Sequence, residues 1–502
     1  MKIKVKFMDV STEPSVLMSE EDAAKIGGKD NDRVKIDGKK PVVAMLNVTE
    51  AFITPGEVII SSVLKKSLGA KDGDVLDIVF SNGPESVRSI RKKMDNEKLT
   101  KEEISGIVND ILDNRLSKIE ISAWLTALYI NGMDIEEIAA FTESMVDTGD
   151  RILFDRTPVF DFHSMGGVPG NKITPIVVSI VASAGLMLPK TSSRAISSAC
   201  GTSDFVETFC NVELDAERLK KISEEVGGVL AWGGSMNLAP VDDLVIKVEH
   251  PLGINPRAQM LASILSKKMA IGATHLVIDI PMGSGTKVPT IEVARAYARD
   301  FMDLGEKLNI HVECAITYAD QPVGSAIGPV LEARECIRIL EGDKHPASVV
   351  EKACDIAGMI LEMGGIPNGG DKARELLESG KAMTKFREIV SAQGGNYDIK
   401  SDDLVPGKFV TDVISSKAGY VHSIRNKDLV SIAKATGAPS DKGAGILLFK
   451  KKGQRVEKGD VLFQLYGDNA AKVERAKELS DKYQPFSIEG MLLKKVTATK
   501  VK

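Results

Sequence analysis

The chain has 502 residues, 43% of them hydrophobic, too long for one typical domain, so about two to four domains with real cores are expected. Its 65 basic and 70 acidic residues leave a formal net charge of −5, which excludes a broad cationic footprint for nucleic acid or an anionic membrane and leaves any anionic ligand to be held locally. Five cysteines (Cys200, Cys210, Cys314, Cys336, Cys354) show no CxxC or finger spacing, which fits a reducing compartment and not a disulfide framework.

The first residues, Met1-Lys2-Ile3-Lys4-Val5-Lys6-Phe7, alternate apolar and charged side chains and read as a strand, not a signal peptide. Residues 42–46, 57–60 and 75–80 carry further strand signals punctuated by Gly, Asp and Pro, so residues 1–84 are expected to form a β-rich N-terminal domain. Ser81-Asn82-Gly83-Pro84 reads as a linker. The period then becomes helical. Thr100 with Glu103, and Asp134 with Glu137, have the spacing of capping boxes ahead of apolar stripes. Residues 85–155 are therefore assigned to a small all-helical domain, completed by helices from about 237–266.

From Val159 strand and helix signals alternate, predicting an α/β domain over 156–400 with a central mixed or parallel sheet. Thr174-Pro175 reads as an N-cap followed by proline at the first helical position. The apolar stretch from Ile176 to Met187 is about 12 residues where a membrane span needs roughly 20, so it reads as a buried helix in a soluble, cytoplasmic protein. Past about Ser401 strand signals return in an α+β C-terminal domain, 401–502. The echo between Gly73-Asp74-Val75-Leu76 and Gly459-Asp460-Val461-Leu462 is too short to be a repeat.

Three polar, glycine-bearing loops follow or adjoin predicted strands. The first runs from Asp161 to Lys172 and includes His163, Ser164 and Gly167. Its glycines let backbone approach an anion, and the helix start that follows adds free N–H groups. It is neither a Walker loop nor GxGxxG, and on pattern alone a βα turn without ligand is an equal reading. The second, Thr191 to Thr202, holds six hydroxyls (Thr191, Ser192, Ser193, Ser197, Ser198, Thr202) and one arginine, Arg194, with Ala195 and Ile196 between. Hydroxyls and a guanidinium suit phosphate oxygens, although a hydroxyl-rich surface loop looks the same. The third, Pro281 to Lys287, follows a strand, where ligand crevices of open α/β sheets lie. Ser263 and Lys267 stand four apart on one predicted helix and share a face, as a solvated stripe also would. Glu249-His250 has no second spaced histidine, so no metal site is expected.

In order along the chain, Ile90-Arg91-Lys92-Lys93 with Leu99 to Ile104, His163 to Val168, Ala262 to Lys268, Met282 to Gly285, and Ala438 to Ile446 resemble the thymidine/pyrimidine-nucleoside phosphorylase family. The likeness covers nearly the whole chain and is closest to the AMP phosphorylase branch. It implies a transferase that splits a nucleoside 5′-monophosphate with inorganic phosphate, in nucleotide salvage, with no cofactor, as a homodimer or larger homo-oligomer. It also implies a hammerhead-like C-terminal domain, although no Met-Lys-Met is present to carry a cofactor. Ser164, Thr174, Ser192 and Thr202 match phosphate-binding positions. His163, Lys247 (an arginine in the family), Ser263 and Lys267 match positions around the base. Gly167, Ser193 to Ser198, Thr202 and Lys287 match the nucleotide side, where hydroxyls and a cation would meet the 5′-phosphate.

Two departures bear on the chemistry. The lysine expected before His163 is Phe162, which directs attention to Lys172 or Lys287 as the source of positive charge. The aspartic acid expected to protonate the leaving base is Asn255, in Ile254-Asn255-Pro256. An amide orients a base but delivers no proton, so His163 or water would have to, or the chain is impaired and only binds nucleotide. A plain pyrimidine-nucleoside phosphorylase is the remaining alternative. Closure of the helical domain over the α/β domain is the expected means of excluding water.

Overall fold

The computed structural model describes residues 2–7, 14–37, 42–51, 53–195 and 198–492. By internal contacts the chain divides into two compact units, Met1–Gly149 with Ala239–Ser266, and Asp150–Leu238 with Lys267–Lys502.

In the first unit, β1 (Lys2–Phe7), β2 (Ser15–Ser19), β3 (Arg33–Asp37), β4 (Val42–Thr49), β5 (Glu57–Ile60) and β6 (Val75–Ser81) close into a barrel of order β1-β5-β2-β4-β3-β6. Alternate residues turn inward, and Ile3, Val5, Val16, Met18, Val34, Ile36, Leu46, Val58, Ile60 and Ile78 fill the interior. Helices α1 (Glu20–Lys25) and α2 (Ser62–Leu68) lie between barrel strands in the chain. A helical bundle follows: α3 (Ser86–Met94), α4 (Lys101–Leu112), α5 (Lys118–Asn131) and α6 (Ile135–Asp147). Both expected capping boxes form, at Thr100/Glu103 and Asp134/Glu137, and a third stands at Ser117/Glu120. Trp124 and Phe141 meet edge to face at 5.8 Å in the bundle core. Glu137 also takes the buried Lys93 ammonium at 3.0 Å.

In the second unit come β7 (Phe160–Ser164), α7 (Thr174–Ser183), β8 (Leu188–Ser192), α8 (Thr202–Val206), α9 (Ala216–Val226) and β9 (Gly228–Trp232). The chain then supplies α10 (Pro240–Leu252) and most of α11 (Arg257–Ala270) to the first unit, where Val241, Val245, Val248 and Ala262 complete the bundle core. It returns for β10 (His275–Met282), α12 (Ile291–Lys307) and β11 (His311–Tyr318). The sheet has order β11-β10-β7 and β8 pairs with β9 beside it. Every one of these pairings is parallel, so the central sheet is parallel and not mixed. The reason is the connectivity: a helix intervenes between successive strands, and such crossovers return the chain in the same direction.

Helix α7 begins one residue earlier than its sequence suggests. Ile173 is the N-cap, with no side-chain cap, and Thr174 is already in the helix ahead of Pro175. Every residue from Thr174 to Ala182 is buried, because α7 is packed on several sides and not on one stripe.

The chain continues through β12 (Ala326–Ile327), α13 (Pro329–Leu340), α14 (Ala347–Met363), α15 (Gly369–Glu378) and α16 (Lys381–Ala392). The C-terminal region adds β13 (Phe409–Ile414), β14 (Gly419–Ile424), α17 (Asn426–Ala435), β15 (Gly445–Leu448), β16 (Arg455–Val456), β17 (Val461–Gly467), α18 (Ala470–Tyr483) and β18 (Phe486–Glu489). It forms two antiparallel sheets, β12-β15-β17-β13 and β16-β14-β18, over its own apolar core. No helix among the described residues is long and apolar enough to cross a membrane.

Candidate active site

The first and third loops leave the carboxyl ends of neighbouring parallel strands, β7 and β10. Ser164, the last residue of β7, accepts hydrogen bonds at Oγ from the Gly166 amide (3.3 Å) and from Asn171 Nδ2 (3.1 Å). Asn171 also donates to Asp279 (3.3 Å), and that fully buried carboxylate accepts from Thr317 (2.5 Å) and pairs with Lys352 at 2.8 Å. The loop is thus held from below by polar groups, with its backbone free to turn. Gly167 has φ of +88°, and a Cβ there would lie 3.3 Å from the Lys287 amide nitrogen. Only glycine suits both the left-handed backbone and the close approach, and the contact brings the first loop against the third.

In the third loop, the Ser284 amide donates to Asp320 at 2.7 Å, and Thr286 Oγ donates to the carbonyls of Gly283 and Val288, each at 2.8 Å. Lys287 is exposed next to this fixed turn.

The second loop leaves β8 and folds back on itself. Asp204 accepts from the amides of Ala195 (2.7 Å) and Gly201 (2.8 Å), and Ser203 donates to Ser192 O at 3.1 Å. A Cβ on Gly201 would lie 2.6 Å from the Ala195 nitrogen, so the turn closes only around glycine. Ser198 donates to the Cys200 carbonyl at 3.1 Å, and Thr202 opens α8. Ser193 is exposed in this loop, while Ile196 and Ser197 lie outside the described residues. Arg194 is committed to protein carboxylates: it pairs with Glu207, with Glu213 at 3.2 Å and with Asp204 at 3.8 Å, and stacks 4.7 Å over Trp232. Glu207 also pairs with Lys442. The guanidinium braces the loop, and as it stands its charge is already met.

His163 is half-buried where β7, β8, α11 and the third loop meet. Burial, and then the ammonium groups of Lys268, Lys190, Lys267 and Lys287, hold its pKa well below the usual imidazole value. It is therefore neutral at neutral pH and carries no imidazolium proton to give.

The lysines divide by role. Lys172 is not available to the loop, because its buried ammonium pairs with Glu335 at 2.6 Å and donates to Val323 O at 3.1 Å. Lys267 is half-buried on α11. Sequence reading passed over Lys190, Lys268 and Asp161. Asp161 is fully buried, with Lys268 at 2.6 Å from one carboxylate oxygen and Lys190 at 3.4 Å from the other. Lys190 also lies 5.0 Å over the Phe162 ring. The available signal was a charged residue inside an apolar strand run, Phe160-Asp161-Phe162 and Leu188-Pro189-Lys190.

Within the first unit, Ser263 Oγ donates to Asp242 at 2.8 Å, and Gln259 Nε2 donates to the other oxygen of that fully buried carboxylate at 3.0 Å. Asn255 is exposed in the turn between α10 and α11. Lys247 lines a cavity of about 90 Å³ together with Arg33, Arg115 and Leu116, between barrel and bundle. Among the described residues no cluster of His, Cys, Asp and Glu could hold a metal ion.

Residues 87–149 match the helical bundle domain of the glycosyl transferase family, residues 156–383 its a/b domain, and residues 420–487 the pyrimidine nucleoside phosphorylase C-terminal domain. The AMP phosphorylase of Thermococcus kodakarensis is 48% identical over 99% of both chains. Those of Methanocaldococcus jannaschii and Methanococcoides burtonii are 47% and 45% identical, over 99% and 100% of both chains. The crystal structure of anthranilate phosphoribosyltransferase from Thermus thermophilus aligns with a TM-score of 0.51 at 21% identity, covering 61% of this chain and 99% of its own, a likeness of fold alone.

Proposed function

The chain belongs to the AMP phosphorylases of the pyrimidine-nucleoside phosphorylase family, and from that membership we propose that it cleaves AMP with inorganic phosphate. The products are adenine and α-D-ribose 1,5-bisphosphate. A phosphate oxygen forms a bond to C1′ as the C1′–N bond breaks, and the bonding pair leaves with the base. The observation that carries this reading is the convergence of two glycine loops on a neutral His163 ringed by four lysines. Such a surround favours oxyanions over any other ligand class.

Ser164, Thr174, Ser192 and Thr202 are proposed to hold the attacking phosphate, with the uncapped start of α7 adding backbone donors. Ser193, Ser198 and Lys287 are assigned to the 5′-phosphate, together with the backbone of Gly167 and of the 194–197 segment. Lys267, Ser263 and Asn255 are assigned to the base. Phosphate is a weak nucleophile, so positioning in line with C1′ is the main contribution, and its own charge stabilises the oxocarbenium-like sugar. The step needs no cofactor beyond phosphate as co-substrate. Because His163 is neutral and Asn255 is an amide, the departing adenine is hydrogen-bonded by Asn255 and takes its proton from solvent. The same reading makes the protein a cytoplasmic homodimer or larger homo-oligomer, which sedimentation of the purified chain tests.

The deciding experiment is a panel of AMP, CMP, UMP, thymidine and uridine, each with and without phosphate. Phosphate-dependent base release from AMP exceeding that from either nucleoside is expected. Faster turnover of thymidine or uridine would return the protein to the nucleoside phosphorylases, and AMP binding without adenine release would make it a nucleotide-binding protein.

A further inference from the structure

The buried lysines of the second unit are paired one to one, with a single exception. Lys172 has Glu335 at 2.6 Å, and Lys352 has Asp279 at 2.8 Å. At Asp161 two ammonium groups share one carboxylate. Lys268 holds the closer contact at 2.6 Å, and Lys190 stands at 3.4 Å while spending a hydrogen bond on the Thr191 carbonyl at 2.8 Å. All three side chains are buried: Asp161 is 0% exposed, Lys268 1% and Lys190 4%. His163, two residues on from Asp161, is neutral and adds no further positive charge. With both lysines protonated, the cluster carries one positive charge in excess beside the strand that ends at Ser164. A buried cation without a counter-ion is strongly disfavoured, so Lys190 keeps its proton only when an anion joins the cluster.

We propose that Lys190 is the cation that balances a phosphate dianion docked on the Ser164–Thr174 loop, a positioning residue that acts through its charge. The inference rests on the phosphorolytic reading and goes beyond it, because it names which buried lysine the attacking phosphate depends on. The groups facing Lys190 are Asp161 and His163 on β7 and Lys268 on α11. Burial, opposed by Asp161 and reinforced by Lys268, pushes the Lys190 ammonium down to about 7. Bound phosphate favours the charged form, so phosphate binding and the Lys190 proton are coupled.

The test uses the full-length enzyme and Lys190→Met, with KM for phosphate measured at saturating AMP and KM for AMP at saturating phosphate. Loss of a charge-assisted contact should raise KM for phosphate about 10-fold or more near pH 6.5. The ratio of variant to wild type should fall towards one by about pH 9, where wild-type Lys190 has given up its proton. KM for AMP should change less than about 2-fold, since the 5′-phosphate is held elsewhere. Phosphate's own ionisation is common to both proteins and cancels in the ratio. Lys190→Arg, charged at every accessible pH, should keep phosphate affinity from declining between about pH 7 and 9 relative to wild type, and it carries the test if the Met variant fails to fold. A pH-independent ratio, or a rise confined to KM for AMP, overturns the assignment. Wild-type phosphorolysis of AMP is measured first: its absence would remove the parent reading, whereas its presence with an unchanged phosphate KM would remove Lys190 alone.

Discussion

Asn255 is the residue proposed to hold the departing base. An amide can hold the base but transfers no proton, so Asn255→Asp is expected to raise kcat for AMP about 10-fold or more, most at the acid end of the range, where the protonated fraction of the new carboxyl is largest. Steady-state kinetics from pH 5 to 8 reads this out, and an unchanged kcat would place base protonation outside the slow step. His163 makes the opposite prediction. Because burial and four lysines keep it neutral, His163→Asn should lower kcat/KM while leaving its pH dependence between about 6.5 and 8 like that of wild type. Lys287 and Ser193 test the nucleotide side: replacing either by alanine should raise KM for AMP far more than for adenosine, and equal effects would remove the 5′-phosphate role. Away from the loops, Glu332 is buried and its pKa is raised to about 7, chiefly by desolvation that Lys172 partly opposes. Between the unfolded carboxyl value and about 7 the folded state holds a proton that the unfolded chain has lost, so stability falls as pH rises through that window and levels off above it. Glu332→Gln should remove that slope, a gain on the order of 2 kcal/mol by pH 8 against pH 5 in urea unfolding.

At the scale of elements, what the sequence makes readable is what is local. The boxes at Thr100/Glu103 and Asp134/Glu137 depend on residues three apart and form as expected. The start of α7 is missed by one residue because its hydroxyl, Thr174, is buried inside the helix instead of capping it. Asp161 and Lys268 are 107 residues apart in the chain, so their pairing with Lys190 has no local signature. Arg194 looked like a cation offered to a ligand, since Glu207 and Glu213 lie beyond the loop that defines the motif. The glycine loops themselves were visible, but the contact of Gly167 with Lys287 depends on β7 and β10 being neighbours. Gly167→Ala should therefore raise KM for AMP about 10-fold or more by displacing one loop from the other, with far-ultraviolet circular dichroism unchanged. In the bundle, Glu137 satisfies the Lys93 ammonium and the Leu99 and Asp134 amides. Glu137→Ala leaves all of these unmet and should cost about 3–5 kcal/mol, measured by denaturant unfolding of the first unit.

For the whole molecule, strand and helix alternation placed the β-rich, helical, α/β and C-terminal regions in order, while barrel closure and the parallel sheet came from pairings between distant segments. The proposed reaction requires orthophosphate to be the group that displaces adenine. The most direct measurement supplies AMP with isotopically labelled orthophosphate and identifies the sugar product by mass spectrometry and phosphorus NMR. Ribose 1,5-bisphosphate with label only on the C1 phosphate is the predicted result. Ribose 5-phosphate, or adenine release that continues without added phosphate, would contradict it.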